Sequence, residues 1–163
     1  MNFHEQNIMH IKDLTLKVKD LNKMLDFYTE IMGMVILEQS ETKAILGTKT
    51  KTLLTLEQND AYEIQARTEG LYHAAYLLPT QADLANFVFH LMKHKVEFGA
   101  GDHYVSEAMY FDDPEGNGIE VYADRDPETW TWKTNLVEMA TVAVDFEKLL
   151  NLTTHEFKTL PDD

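Results

Sequence analysis

Residues 13–18 read DLTLKV and residues 73–78 read HAAYLL. The first alternates apolar side chains with polar ones and the second is apolar from Ala74 to Leu78, and each is followed by an acidic residue that opens a helical pattern. In the first, Leu14, Leu16 and Val18 share one face, and Asp13, Thr15 and Lys17 the other. That period of two marks a half-buried strand, placed over 10–18. Asp20 then has the chemistry of a helix N-cap. Leu21, Met24, Leu25, Tyr28, Ile31 and Met32 follow at helical spacing, and Gly33 fits a helix stop. Three strand-like runs come next, at 34–38, 43–47 and 52–57.

The second stretch opens the same series. A strand over 72–78 ends at Pro79, and a helix fits 82–95 with Leu84, Phe87, Val88, Leu91 and Met92 on one face and Asp83 as its cap. Strand-like runs at 96–98, 107–112 and 118–123 complete it, the last two joined by the turn DPEGNG. Each unit therefore reads β-α-β-β-β, about 8–57 and 71–123, with a polar loop near 58–70 between them. A repeat of about 60 residues marks a duplicated supersecondary unit. The expected fold is α+β, with tandem βαβββ units forming a curled, mostly antiparallel sheet around a cleft, helices outside. One domain is expected over 1–125. The segment 126–163, with Trp130 and Trp132, is either an extension that wraps the domain or a linker to a further one.

Composition narrows the function. The chain has 163 residues with 28 acidic against 14 basic side chains, a net charge of −14. Such a chain repels phosphate backbones and anionic membranes, so nucleic acid and membrane are not expected partners. There is no cysteine, which excludes disulfides and thiolate chemistry and fits a cytoplasmic location. No apolar run is long enough for a membrane span, and the first residues, MNFHEQNIMH, lack the pattern of a secretory signal.

Asp13, His73 and Glu120 all fall on the strand parity opposite the helices. Polar groups aimed from several strands into one concavity are what a metal site needs. Each also has an ordinary reading. His73 could be a core histidine bonded to backbone, Glu120 could cap a hairpin or pair with a lysine, and Tyr110 could be packing. His103 could sit in an exposed loop. His90 and His94, four apart on a helix, read as solvated surface.

Residues 101–120, GDHYVSEAMYFDDPEGNGIE, carry Gly101-x-His103, five residues, Met109-Tyr110, two residues, Asp113-Pro114-x-Gly116, three residues, Glu120. This spacing resembles the signature of the extradiol ring-cleaving dioxygenases, within the vicinal oxygen chelate superfamily that also holds glyoxalases and bleomycin resistance proteins. With YHAAYLLP and EVYADR, the chain is most similar to the N-terminal half of two-domain catechol-2,3-dioxygenases. The resemblance implies Glu120 and His73 as metal ligands, Tyr110 as the group that bonds a substrate oxygen, and His103 as the acid/base. It implies Fe(II), with Mn(II) or another divalent metal as alternatives, and a small aromatic diol and dioxygen as reactants. The first-strand ligand of the family is a histidine, where this sequence has Asp13, and His10 is the alternative three residues away. A set of Asp, His and Glu has more oxygen character and favours harder ions. The runner-up activity is a glyoxalase-like lyase, and the competing class is a binding module that keeps the cleft without the chemistry. A homodimer is expected, with Trp130 and Trp132 as contact surface.

Overall fold

The structure is a computed structural model and describes residues 11–59, 61 and 70–162. The first unit runs β1 (Leu14–Val18), α1 (Leu21–Asp26), a π-helical turn (Phe27–Ile31), β2 (Val35–Gln39), β3 (Lys43–Gly47) and β4 (Thr52–Gln58). The second runs β5 (Ala74–Leu77), α2 (Gln81–Lys93), β6 (Gly99–Asp102), β7 (Ser106–Asp112) and β8 (Gly118–Asp124). A 3₁₀ turn (Pro127–Thr129), a two-residue hairpin of β9 (Trp132–Lys133) and β10 (Leu136–Val137), and α3 (Phe146–Leu150) follow.

The units share one topology. Their sheets have the orders β1-β4-β3-β2 and β5-β8-β7-β6. In each, the first strand pairs parallel with the last, and the other pairings are antiparallel. The two sheets are curled but not closed into a barrel. Leu16, Val18, Leu54 and Leu56 from the first sheet and Ile119, Val121 and Ala123 from the second share one core with Tyr28, Leu84, Phe87 and Leu91 of the helices. Packing one face of each sheet against helices leaves the opposite parity for other work.

Asp20 caps α1 by accepting from Lys23 N at 3.0 Å. The helix widens at Phe27–Ile31, where Met32 N reaches back five residues to Phe27 C=O at 3.2 Å. Thr29 sits in that turn and donates its hydroxyl to Leu25 C=O at 2.8 Å, a back-bond that competes with the regular ladder.

Several expectations shift. α2 begins at Gln81 and is capped by Thr80, not Asp83. Thr80 Oγ1 accepts from Asp83 N at 3.1 Å and donates to the Asp83 carboxylate at 2.6 Å, so the two residues close the first turn together. The strand expected at 96–98 lies instead at Gly99–Asp102, because the ladder to β7 starts at Gly99 opposite Tyr110. Val96 and Phe98 pack against the core without joining it. His90 is not solvated: it is 8% exposed, its Nε2 lies 3.0 Å from Glu30 C=O, and it packs on Phe157. Burial holds its imidazole below the usual range.

The C-terminal segment folds back over both units. Val144, Leu149, Phe157 and Leu160 join the core. Leu160 N donates to Gly33 C=O at 2.9 Å, and Thr50 donates to the Asp162 carboxylate at 2.9 Å.

Candidate metal and substrate cleft

β8 alternates as its sequence demands. Ile119, Val121 and Ala123 are buried against helices, and Glu120 and Tyr122 face the other way. β7 lies antiparallel to it with Tyr110 directly opposite Glu120, and β5 lies parallel on its other side with Ala75 opposite Glu120. A cross-strand pair brings side chains of one face into contact. Tyr110 accordingly donates its hydroxyl to Glu120 Oε1 at 2.9 Å.

His73 precedes β5 and reaches the same carboxylate from the opposite side, with Nε2 2.8 Å from Glu120 Oε2. The backbone makes this approach feasible at Gly118. A Cβ there would stand 2.5 Å from Tyr72 C=O and 3.2 Å from His73 Cβ, so any other residue would push the start of β5 away. The network continues on the other flank. His103 Nε2 lies 2.7 Å from the Tyr110 hydroxyl, and His103 Nδ1 lies 2.8 Å from Ala140 C=O. Burial first, then the hydrogen bond and charge of Glu120, pushes the Tyr110 hydroxyl up, so it keeps its proton.

Glu120, Tyr110 and His103 line one side of a cleft of about 420 Å³, with His73 behind them on Glu120. The rest of its wall is mostly apolar, Ala75, Val105 and Tyr122 from the second unit and Trp130 and Met139 from the C-terminal segment, with Ser106 and Asp124 as its polar members. A concave apolar site with a few convergent polar groups is the usual form of a small-molecule pocket.

The family model of the Glyoxalase/Bleomycin resistance protein/Dioxygenase superfamily matches residues 8–121. The chain belongs to this superfamily. It is 40% identical over 168 residues to a catechol-2,3-dioxygenase of Bacillus subtilis (strain 168), a match covering 99% of this chain but 58% of that relative. The chain thus spans little more than half the relative's length, aligning with its N-terminal half. Solved structures with the same fold include a glyoxalase/dioxygenase from Nostoc punctiforme and a lactoylglutathione lyase from Agrobacterium tumefaciens. The first has a TM-score of 0.61 at 21% identity, covering 74% of this chain and 94% of that one. The second has a TM-score of 0.58 at 16% identity, covering 72% and 96%.

The superfamily and the dioxygenase relative imply a divalent metal, and the donors here fit part of such a site. The His73 imidazole nitrogen and the Glu120 carboxylate oxygen lie 2.8 Å apart, a donor pair suited to transition ions. Asp13 is exposed just ahead of β1. Among the described residues no three His, Asp or Glu side chains gather closely enough to hold a metal, so Asp13 stays apart from the pair. His10 lies outside the described residues.

Other residues work around the cleft without entering it. Asp113 of the DPEGNG turn is 4% exposed and accepts from Glu115 N, Asn117 N, Asn117 Nδ2 and the Tyr28 hydroxyl, at 2.8–3.1 Å. Glu115 accepts from Lys19 N at 2.9 Å and Asp20 N at 3.0 Å. The signature turn is therefore the joint between the units, and its acidic residues do structural work. Burial, with Asp113 beside it, pushes the Tyr28 hydroxyl up. Arg125 holds Asp102 through two bonds of 2.6 and 2.8 Å and lies 3.2 Å from Glu107, drawing together β6, β7 and the end of β8. EVYADR was visible as a motif, but nothing in it indicated these partners.

Proposed function

We propose that the chain forms an extradiol ring-cleaving dioxygenase site acting on a small aromatic diol, with His73 and Glu120 holding Fe(II) or another divalent ion such as Mn(II). The observation that carries this is the continuous set His73–Glu120–Tyr110–His103, whose last three members line a mostly apolar cleft. Asp13 stays apart from this pair, so a third protein donor from ahead of β1 would have to be His10. When bound, the ion would chelate the two diol oxygens and leave room for dioxygen.

The side chains then divide the remaining work. The Tyr110 hydroxyl, held protonated by burial, donates to a ring oxygen. His103 Nε2 faces the same point and can take a proton there and return it, the task for which an imidazole is suited near neutrality. Trp130, Met139 and Val105 supply apolar surface for the ring and exclude water from it.

Oxygen uptake with catechol after anaerobic Fe(II) loading tests this reading. Stoichiometric uptake with formation of a ring-opened product supports it; turnover of a hemithioacetal without oxygen would assign the lyase chemistry instead. A second reading, a binding module of the same fold, draws on the pairing of only two metal-type donors among the described residues. Tight binding of catechol with neither metal retention nor turnover would favour it. We further propose a homodimer, with exposed Trp132 at the contact. Sedimentation showing a monomer at every concentration would contradict it.

A further inference from the structure

His103, which lines the cleft, is held by a group that neither the repeated units nor the superfamily match at residues 8–121 supplies: the main-chain carbonyl of Ala140. The segment around it is tied to β6 by a two-way bridge. Val142 N donates to Asp102 C=O and Asp102 N donates to Val142 C=O, both at 2.9 Å. Asp102 is in turn fixed by Arg125. His103 is therefore the next residue after a strand end clamped from two sides. Its own N–H donates to Ser106 C=O at 2.9 Å, and Tyr104 N donates to Asp102 Oδ1 at 2.8 Å with Tyr104 in the left-handed region at φ 70°.

The ring is seated as firmly as the backbone. His103 Nδ1 lies 2.8 Å from Ala140 C=O, with Thr141 Oγ1 at 3.3 Å. On the other side the ring rests against Gly101, where a Cβ would meet His103 Nε2 at 3.2 Å, His103 Cε1 at 3.3 Å and Thr141 Cγ2 at 3.3 Å. This gives a physical reason for glycine two residues before the histidine.

We propose that Ala140 is a positioning residue, whose carbonyl fixes the tautomer of His103. A carbonyl oxygen only accepts, so the bond requires a hydrogen on Nδ1. A neutral His103 must then present an unprotonated Nε2 2.7 Å from the Tyr110 oxygen, so the single hydroxyl hydrogen of Tyr110, otherwise given to Glu120 Oε1, turns to this nitrogen. A free imidazole has no such constraint, and the opposite tautomer would offer the cleft a donor where the reaction needs a base. The segment after the second unit thus decides whether His103 can accept a proton. The catalytic importance of this rests on the reading of the cleft given above; the tautomer itself does not.

The test is ¹⁵N NMR of the histidine-labelled full chain, without metal, in an alkaline buffer in which imidazoles are neutral, with the His103 signals assigned by comparison with His103→Gln. The expected spectrum has hydrogen on Nδ1 and none on Nε2. Val142→Pro removes the N–H that ties the segment to Asp102 and should convert the signal to a mixture in which Nε2–H gains. Gly101→Ala crowds the ring from the opposite side and should do the same with the bridge intact, which keeps the test open if the proline variant fails to fold. Nε2–H in the intact chain, or an unchanged Nδ1–H tautomer in a folded variant of either kind, overturns the proposal. An Nδ1–H tautomer in a chain that cleaves no diol leaves the positioning role standing and removes the proposed reaction.

Discussion

The two units are near copies in topology and opposites in chemistry. Where the second places Glu120 opposite Tyr110 and Ala75, the first places Thr55 opposite Ile45 and Thr15. The position matching His73 is Asp13, by the alignment of the two opening strands. One face of each sheet packs against helices; the alternation is strict along β8, while β4 buries Leu54, Thr55 and Leu56 in succession. The free face diverged. In the first unit the matching position is a threonine 8% exposed between Ile45 and Thr15, and the charged groups further along that face, Lys43 and Glu57, form a surface ion pair of 2.9 Å; in the second the face carries a bonded His–Glu–Tyr–His run. The two units share a scaffold, and the face turned away from the helices carries the bonded His–Glu–Tyr–His run in the second.

The most severe way to break this contrast is to exchange the matched positions. Glu120→Gln keeps the size of the side chain but removes its charge, and it should abolish metal retention and turnover, whereas Thr55→Val should leave both intact. Equal losses in the two would erase the distinction. Next in size is His103→Ala, expected to lower kcat by roughly 10²–10⁴-fold with metal content unchanged, the usual range for removal of a general acid or base. Steady-state kinetics on metal-loaded protein would show it.

The joint between the units offers a stability test of the same contrast. Asp113→Ala leaves the buried Tyr28 hydroxyl and two backbone N–H groups without their acceptor, and should cost about 2–3 kcal/mol in urea unfolding. Asp13→Ala, exposed and at the strand position matching His73, should cost less than about 0.5 kcal/mol. The smallest effect concerns pH. The Arg125 hydrogen bond holds the Asp102 carboxyl below its ordinary range, outweighing the opposing effect of burial. A folded-state value below the unfolded one gives stability that is present above the unfolded carboxylate range and lost as pH falls through the folded value. Arg125→Met should therefore flatten the acid limb of the stability profile, read as melting temperature between about pH 5 and 2. An unchanged slope there would remove Asp102 from the account.

Much of this arrangement was legible before any coordinates. The alternation on β1 and β8 and the helical spacing in α1 and α2 follow directly from which face each element buries. The spacing of His103, Tyr110 and Glu120 carried the resemblance, and the structure joins these three with His73 in one hydrogen-bonded line. What escaped was set by long-range contact. β6 is Gly-Ala-Gly-Asp, with too few side chains to show a period. His90 is buried by Phe157, 67 positions downstream in a polar stretch. Ala140 acts through its backbone, which every residue carries, so no pattern of side chains could single it out. Asp113 was read as a turn residue, and its second task of accepting from Tyr28 depends on the first unit docking against the turn.

The central claim is that the working site belongs to the second unit and is built on His73 and Glu120. Anaerobic Fe(II) titration of the intact chain, His73→Ala, Glu120→Gln and Thr55→Val tests it most directly, with near-ultraviolet circular dichroism to confirm that each is folded. The account predicts about one iron per chain in the intact protein and in Thr55→Val, and none in the other two. Iron retained in both folded His73→Ala and Glu120→Gln would contradict it and place the metal elsewhere.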